Sequence, residues 1–352
     1  MSIHSTRWIE AFHKKGYDVS LITDFQTWVA QKPRNVPIHV LPSIKNNVYR
    51  LIQNYISIIK ILMQTKPNLV HLHTQHHYAP AIYINRIPYI LHSWGSEVLE
   101  MHHTSIFRKV LAKQVAMKAH KIIVDANCMK QIWTSIGILE NKVEVIPFGV
   151  DANLFTPTAD GSSIRKKLDI RKDDIAVIST RPFFYHYDIE CLIKAISLIV
   201  KKHENVKFII KGKGPLERRI KQLGKKLRVD QYIRFTDPVP YHEMPQYLAA
   251  ANIYVSTSFI DSTSVSLLEA MACELPPITT DIPGNREWIK NEINGLLYPP
   301  KDPEALAEKI TQLTENEGQR KRFGERSRQI ILEKAAWKKC VSQMEAIYKE
   351  LP

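Results

Sequence analysis

Cysteine is scarce in this chain of 352 residues: there are four, at positions 128, 191, 273 and 340, and no Cys-x-x-Cys spacing. So thin a set excludes a disulfide framework, a thiolate zinc motif and a dithiol redox motif, and it fits a reducing cytosol. Long apolar runs are missing too. The most lipid-like stretch, Tyr55 to Met63, is short and interrupted by Lys60, so no segment is expected to span a bilayer. At the N-terminus His4, Arg7 and Glu10 break any apolar signal-peptide core, and a cytoplasmic protein is expected. The sequence has no Asp-x-Asp metal motif, no low-complexity tract and no internal repeat. It also lacks an aromatic-studded basic motif and a helix-turn-helix pattern, so nucleic acid is not an expected partner.

What is present is an ordinary globular composition, 44% hydrophobic, in a chain long enough for two domains that each bury a core. Basic residues are in excess, 49 Lys+Arg against 35 Asp+Glu, and the excess is uneven. Residues 1–150 carry 17 basic and 8 acidic side chains, net +9, together with eleven of the fourteen histidines. A basic first half points to an anionic partner such as a phospholipid surface or a phosphorylated acceptor.

Short apolar, β-branched runs alternate with longer helical patterns, the signature of βαβ units and parallel sheets. In the first half the expected strands are Val19 to Ile22, Ile38 to Leu41, Leu69 to His73, Tyr89 to His92, Ile122 to Val124 and Val143 to Ile146. In the second half they are Ala176 to Ser179, Lys207 to Ile210, Tyr232 to Phe235, Ile253 to Ser256, Pro277 to Thr279 and Leu296 to Tyr298. A first helix, about Ser5 to Lys15, puts Trp8, Ala11 and Phe12 on one face and stops at Gly16. The segment Ile146 to Pro157, with two prolines and a glycine, continues neither pattern and is placed as a hinge. The fold class is therefore α/β, with two doubly wound, Rossmann-like domains at 1–150 and 151–330 facing a central cleft and a C-terminal helix at 331–352 bracing them.

The stretch Ser256 to Ala272 carries the most chemistry. A strand ends in small hydroxyl residues and Asp261, and a helix begins near Ser264 with Leu267, Leu268 and Met271 turned to the core. An open helix N-terminus offers unpaired N–H groups and the positive end of a dipole, which suits a phosphate or pyrophosphate. Seven residues separate Asp261 from Glu269, so one carboxylate lies in the loop and the other well into the helix. Ionised acids near a phosphate site are strong acceptors for sugar hydroxyls.

This stretch resembles the Glu-x7-Glu signature of the retaining GT-B glycosyltransferases of family four, or group 1, with Asp261 in place of the first Glu. The segment Val145 to Pro157 resembles the family linker. Ile210 to Pro215, containing Gly212 and Gly214, resembles its glycine turn, and Pro283 to Glu287 and Asn294 to Tyr298 resemble the following loop and strand. Ser2 to Trp8 and His92 to Glu97 have counterparts in the N-terminal domain. The resemblance implies that Glu269 holds the ribose of a nucleotide-sugar donor, that Asp261 approaches the donor sugar, and that the amides of Thr263, Ser264 and Val265 hold the diphosphate. It implies that Arg181 neutralises the leaving phosphate, a role for a permanent cation with several donors. The donor is then a co-substrate, and neither a metal nor another cofactor is expected. The activity implied is transfer of a sugar to an acceptor hydroxyl with retention, and the acceptor a glycan or a lipid-linked one in cell-surface polysaccharide or glycolipid assembly.

Two departures stand out. Family members commonly carry a lysine five positions after the arginine, where this chain has His186; His186, Lys211 and Lys213 are the candidates to supply the charge. Members also open with a strand and a glycine-containing loop ahead of the helix that begins here near Ser5, so the first domain is expected to lack its first strand. The competing readings are a truncated, non-catalytic relative serving as a binding subunit, and a nucleotide-sugar epimerase of the same fold. His92, at a strand end, is a candidate to hydrogen-bond the substrate. His71, His73, His76 and His77 cluster at the end of another strand; with no acidic residue among them they read as a polar cleft edge rather than a metal site. The basic helices at about Asn46 to Gln64 and Ile106 to Lys118 fit a peripheral position on an anionic membrane surface, on its inner face.

Overall fold

Each of the twelve apolar runs forms a strand, because β-branched residues bounded by turn signals fit a pleated, buried surface better than a helix. The structure, a computed structural model, describes residues 3–24, 33, 35–42, 47–73, 82, 86–95 and 106–351. Contacts divide the chain into two compact units. One comprises Met1–Asp125, Met129–Ile146 and Val341–Pro352, the other Ala126–Cys128 and Pro147–Cys340.

In the first unit the order is α1 (Ile3–Lys14), β1 (Leu21–Asp24), β2 (Ile38–Leu41), α2 (Asn47–Thr65), β3 (Val70–His73), β4 (Tyr89–Ser93), α3 (Ile106–Lys118), β5 (Lys121–Val124), α4 (Asn127–Ser135, whose first two residues count with the other unit) and β6 (Val143–Val145). Helix α1 buries Trp8 and Phe12 and ends before Gly16, whose φ of +90° only glycine adopts without strain. The described strands form two parallel sheets, β1-β2 and β3-β4-β5-β6. In the larger one His73 pairs with His92 across β3 and β4. Helix α2 turns Asn54, Ile58 and Leu62 inward and leaves Tyr49, Ile52, Ile56 and Met63 exposed, so it is apolar on both faces. No helix among the described residues is long and apolar enough to cross a membrane.

The second unit runs α5 (Ser162–Lys167), β7 (Ile175–Ser179), α6 (Ile189–Ile199), β8 (Val206–Lys211), α7 (Glu217–Lys226), β9 (Ile233–Thr236), α8 (Met244–Ala249), β10 (Ile253–Ser256), α9 (Val265–Ala272), β11 (Pro277–Thr280), α10 (Pro283–Arg286), β12 (Leu296–Tyr298), α11 (Pro303–Glu315) and α12 (Glu317–Lys334); α13 (Trp337–Glu350) starts here and passes into the first unit's residues at Val341. Its six parallel strands lie in the order β12-β11-β10-β7-β8-β9. Alternate residues enter two different cores. Val177, Phe208, Ile210 and Val255 pack with α6 and α11, while Ala176, Ile178, Ile209 and Tyr254 pack with α9 and α12. Burial on both faces is why these strands read as unbroken apolar runs. The strand order reverses between β7 and β10, so the crevice at their carboxyl ends is the ligand position that this topology favours.

The segment expected as a hinge is tied down locally. Val150 donates to Ala335 O at 2.8 Å and accepts from Trp337 N at 2.8 Å. Arg328 of α12 reaches Phe155 O at 3.1 Å, Ala152 O at 3.3 Å and Ala272 O at the end of α9, where a cation also complements the helix dipole.

Candidate functional site

The carboxyl ends of β7 and β10 bring Arg181 and Asp261 together. Arg181 follows β7 by two residues and is 6% exposed. Its guanidinium donates from Nη2 to Asp261 Oδ2 at 2.6 Å and from Nη1 to Ser264 Oγ at 2.5 Å and Ser266 Oγ at 3.1 Å. The Tyr187 ring lies 4.1 Å from its central carbon. Burial is the largest single influence and works against the charged guanidinium, but the facing Asp261 carboxylate together with Tyr254 and Tyr187 outweighs it and lifts the proton affinity above the ordinary value. Behind these contacts Tyr254 Oη lies 2.9 Å from Ser266 Oγ, and burial pushes that phenol up so that it stays protonated.

Ser264 does two things at once. It is the N-cap of α9, its Oγ accepting from Leu267 N at 3.3 Å, and it receives Arg181. A full positive charge is therefore held at the positive end of a helix dipole, an unfavourable placement unless negative charge is supplied. Among the described contacts of the guanidinium, Asp261 supplies it.

Close backbone approaches hold the two loops in register. A Cβ on Gly212 would lie 2.5 Å from Arg181 O, and one on Gly214 2.5 Å from Phe183 O. Phe183 N donates to Lys213 O at 3.0 Å and Leu216 N to Phe183 O at 3.1 Å, so the glycine turn is zipped to the arginine loop. Gly284 of α10 is more tightly placed, with Ser262 O 2.0 Å from where its Cβ would be. Trp288 Nε1 donates to Thr263 Oγ1 at 3.2 Å, and Thr257 Oγ1 to Tyr187 O at 2.6 Å, which sets the ring over Arg181. Asn285 Nδ2 donates to Thr280 O at 2.9 Å, and Thr280 Oγ1 in turn donates to Ser258 O.

Of the residues expected from sequence, Arg181, Asp261 and Ser264 are in direct contact, Thr263 is buried beside them, and Val265 opens α9. Glu269 lies further along α9 at 6% exposure. Gly212 and Gly214 lie against the backbone of the arginine loop. His92 belongs to the first unit, is wholly buried in β4, and has Nδ1 3.2 Å from His71 Nε2. His76, His77, Ser96 and Glu97 lie outside the described residues. Of the cations considered in place of a lysine at position 186, Lys211 has its ammonium on Asp237 O and 3.9 Å from the Tyr247 ring, and burial pulls its pKa down to about 8. Lys213 pairs with Asp237 Oδ1 at 3.2 Å. Sequence reasoning missed Ser266, Tyr187 and Tyr254 as partners of the arginine. Ser266 sits two residues past the cap on the same helix turn, which was the available signal.

Residues 160–330 match the family described as glycosyl transferases group 1, and residues 1–154 match glycosyltransferase family 4. An uncharacterized glycosyltransferase of Methanocaldococcus jannaschii, MJ1607, is 25% identical over 233 residues, 65% of this chain and 59% of the relative. The phosphatidylinositol N-acetylglucosaminyltransferase gpi3 subunit of Schizosaccharomyces pombe is 22% identical over 248 residues, 70% of this chain and 52% of the relative. The chain thus spans little more than half the length of these curated relatives. Among solved structures, Anabaena HepE in complex with UDP superposes with a TM-score of 0.83 at 19% identity, covering 99% of this chain and 96% of that one. At that identity the likeness establishes the fold, two Rossmann-like units of GT-B type.

Proposed function

The chain belongs to the glycosyl transferases group 1 family, and from that premise we propose that it moves a sugar from a nucleotide diphosphate sugar to an acceptor hydroxyl, with retention at the anomeric carbon. The observation that carries this reading is the Arg181 guanidinium held on the N-cap of α9 by Asp261, Ser264 and Ser266. A buried ion pair is a poor way to gain stability, because desolvation offsets most of its attraction. As an anion site it makes sense: the guanidinium, with the amides of Thr263, Ser264 and Val265 at the start of α9, would meet a diphosphate as it gathers negative charge when the sugar leaves. These protein charges take the part a divalent cation plays elsewhere, so no metal is assigned to the reaction.

Glu269, further along the same helix, accepts from the ribose hydroxyls, and Asp261 faces the donor sugar while steadying Arg181. His92, with no exposed atom, is given no contact with substrate. The acceptor is proposed to be lipid-linked or a growing glycan at a membrane surface, where the exposed apolar ridge of α2 and the basic first half would hold the protein peripherally. A screen of UDP-, GDP- and ADP-sugars for donor hydrolysis and thermal stabilisation tests the site. One nucleotide should raise the melting temperature of the parent, and Glu269→Ala should abolish that shift. An equal shift in both proteins would remove the ribose assignment.

A further inference from the structure

The first unit holds three histidines whose arrangement the transfer reaction does not use. His71 and His73 lie two residues apart on β3, so they project from one face of the sheet, and His92 sits opposite His73 on β4. The three rings are packed together, with centroids 4.3 Å apart for His71 and His73 and 5.2 Å for each of the other pairs. His71 Nε2 and His92 Nδ1 are 3.2 Å apart, and one ring nitrogen from each of the three residues lies within 4.8 Å of the others. The remaining nitrogen of His71, Nδ1, meets the Tyr348 hydroxyl at 2.5 Å. His73 Nδ1 is buried with no hydrogen-bond partner among the described residues.

We propose that His71, His73 and His92 form a binding site for a divalent transition ion of the zinc class. Two ligand nitrogens on a tetrahedral ion, each at about 2.0–2.1 Å, stand about 3.3 Å apart. The His71–His92 pair already has that spacing. The third nitrogen has at most about 1.5 Å to close, and the stacked rings, His71 lying 23° from His73 and 18° from His92, rotate on binding to turn their in-plane lone pairs to one point. Ligation takes the neutral imidazole form, and each of the three rings offers one nitrogen to the ion.

The Tyr348 oxygen supplies the outer-sphere partner that metal-bound histidines ordinarily have. On binding, the proton between His71 and His92 is no longer shared. His71 carries its hydrogen on Nδ1, donated to Tyr348, and His92 carries its own on Nε2, which frees both facing lone pairs without net proton release. Three neutral ligands leave the ion's charge uncompensated, so the fourth position takes hydroxide or another small anion. The absence of thiolates and carboxylates from the set selects imidazole-preferring ions over calcium or magnesium.

The test uses the full chain, free of any affinity tag and stripped with chelator. One equivalent of cobalt(II) should produce visible d–d bands that zinc displaces, and the His71→Gln/His73→Asn double variant should show none. Tyr348→Phe should weaken cobalt binding about tenfold. Should the double variant fail to fold, X-ray absorption on the zinc-loaded parent decides, with three imidazoles expected at about 2.0 Å. Absence of bands in the parent, bands persisting in the folded double variant, undiminished affinity in Tyr348→Phe, or a sulfur- or carboxylate-dominated shell would each overturn the site.

Discussion

Arg181 is defined by what its two terminal nitrogens do separately: one holds a carboxylate, the other two hydroxyls at a helix N-cap. A lysine at this position keeps the charge but offers one compact ammonium in place of a rigid fork, so it satisfies one side of the site and abandons the other. Arg181→Lys is therefore expected to fold, since no buried carboxylate is left without a cation, yet to lose about 10²–10³-fold in kcat, the cost of removing one preorganised donor from a developing negative charge. Steady-state kinetics with the productive donor measure this. A parental kcat in the lysine variant would mean that charge alone suffices and that the fork is structural.

At the scale of elements, the position of the arginine loop and of α9 depends on backbones that approach too closely for a side chain. Gly284 of α10 faces Ser262 O at 2.0 Å and Asp261 O at 2.6 Å from its would-be Cβ, so Gly284→Ala must push α10 and the carboxylate loop apart. It is expected to cost about 1–3 kcal/mol in urea unfolding and to weaken donor binding. Gly224, inside α7, offers the opposite sign, because its Cβ would meet only Ile233 Cδ1 at 3.6 Å. Gly224→Ala should stabilise by about 0.5–1 kcal/mol through helix propensity. Equal effects from the two substitutions would show that the close approaches are not rigid.

The same contrast explains what was legible in the sequence. Twelve apolar runs became twelve strands, with ends shifting by a residue or two, and the pattern is plainest in β4, β7, β10 and β11, where both faces are buried. Asp261 and Ser264 were legible because strand ends and helix caps carry local signals, and Arg181 through the family resemblance. Three things were not. The division of the first unit's strands into two sheets depends on pairing, which no local window records. The close approach of Gly212 and Gly214 to the backbone of Arg181 and Phe183 depends on two loops meeting across the sheet, which no local window records either. Tyr348 meets His71 across 277 positions, so the histidine cluster read as a polar edge without its phenolic partner.

For the molecule as a whole, two uneven distributions coincide. Residues 1–150 carry net +9 of the chain's net +14, and most of the large apolar side chains exposed among the described residues lie there as well, including Val40, Tyr49, Ile52, Ile56, Met63 and Val110. Either alone is ordinary, since solvated basic faces and scattered exposed aliphatics are common. On α2 they share a helix: Tyr49, Ile52, Ile56 and Met63 form an outward ridge at helical spacing with Lys60 among them. Such a face gains from apolar insertion and from headgroup charge together, and the two terms separate experimentally. Sedimentation with phosphatidylglycerol vesicles should exceed that with phosphatidylcholine and fall as salt rises. Lys60→Gln with Lys118→Gln should remove about 2 kcal/mol, roughly thirtyfold in partitioning, from the anionic vesicles only. Ile52→Ser with Ile56→Ser should weaken binding to both kinds, because apolar insertion does not depend on headgroup charge. Sedimentation indifferent to lipid charge, to salt and to all four substitutions would assign the ridge to a protein contact and point the transferase toward a soluble acceptor.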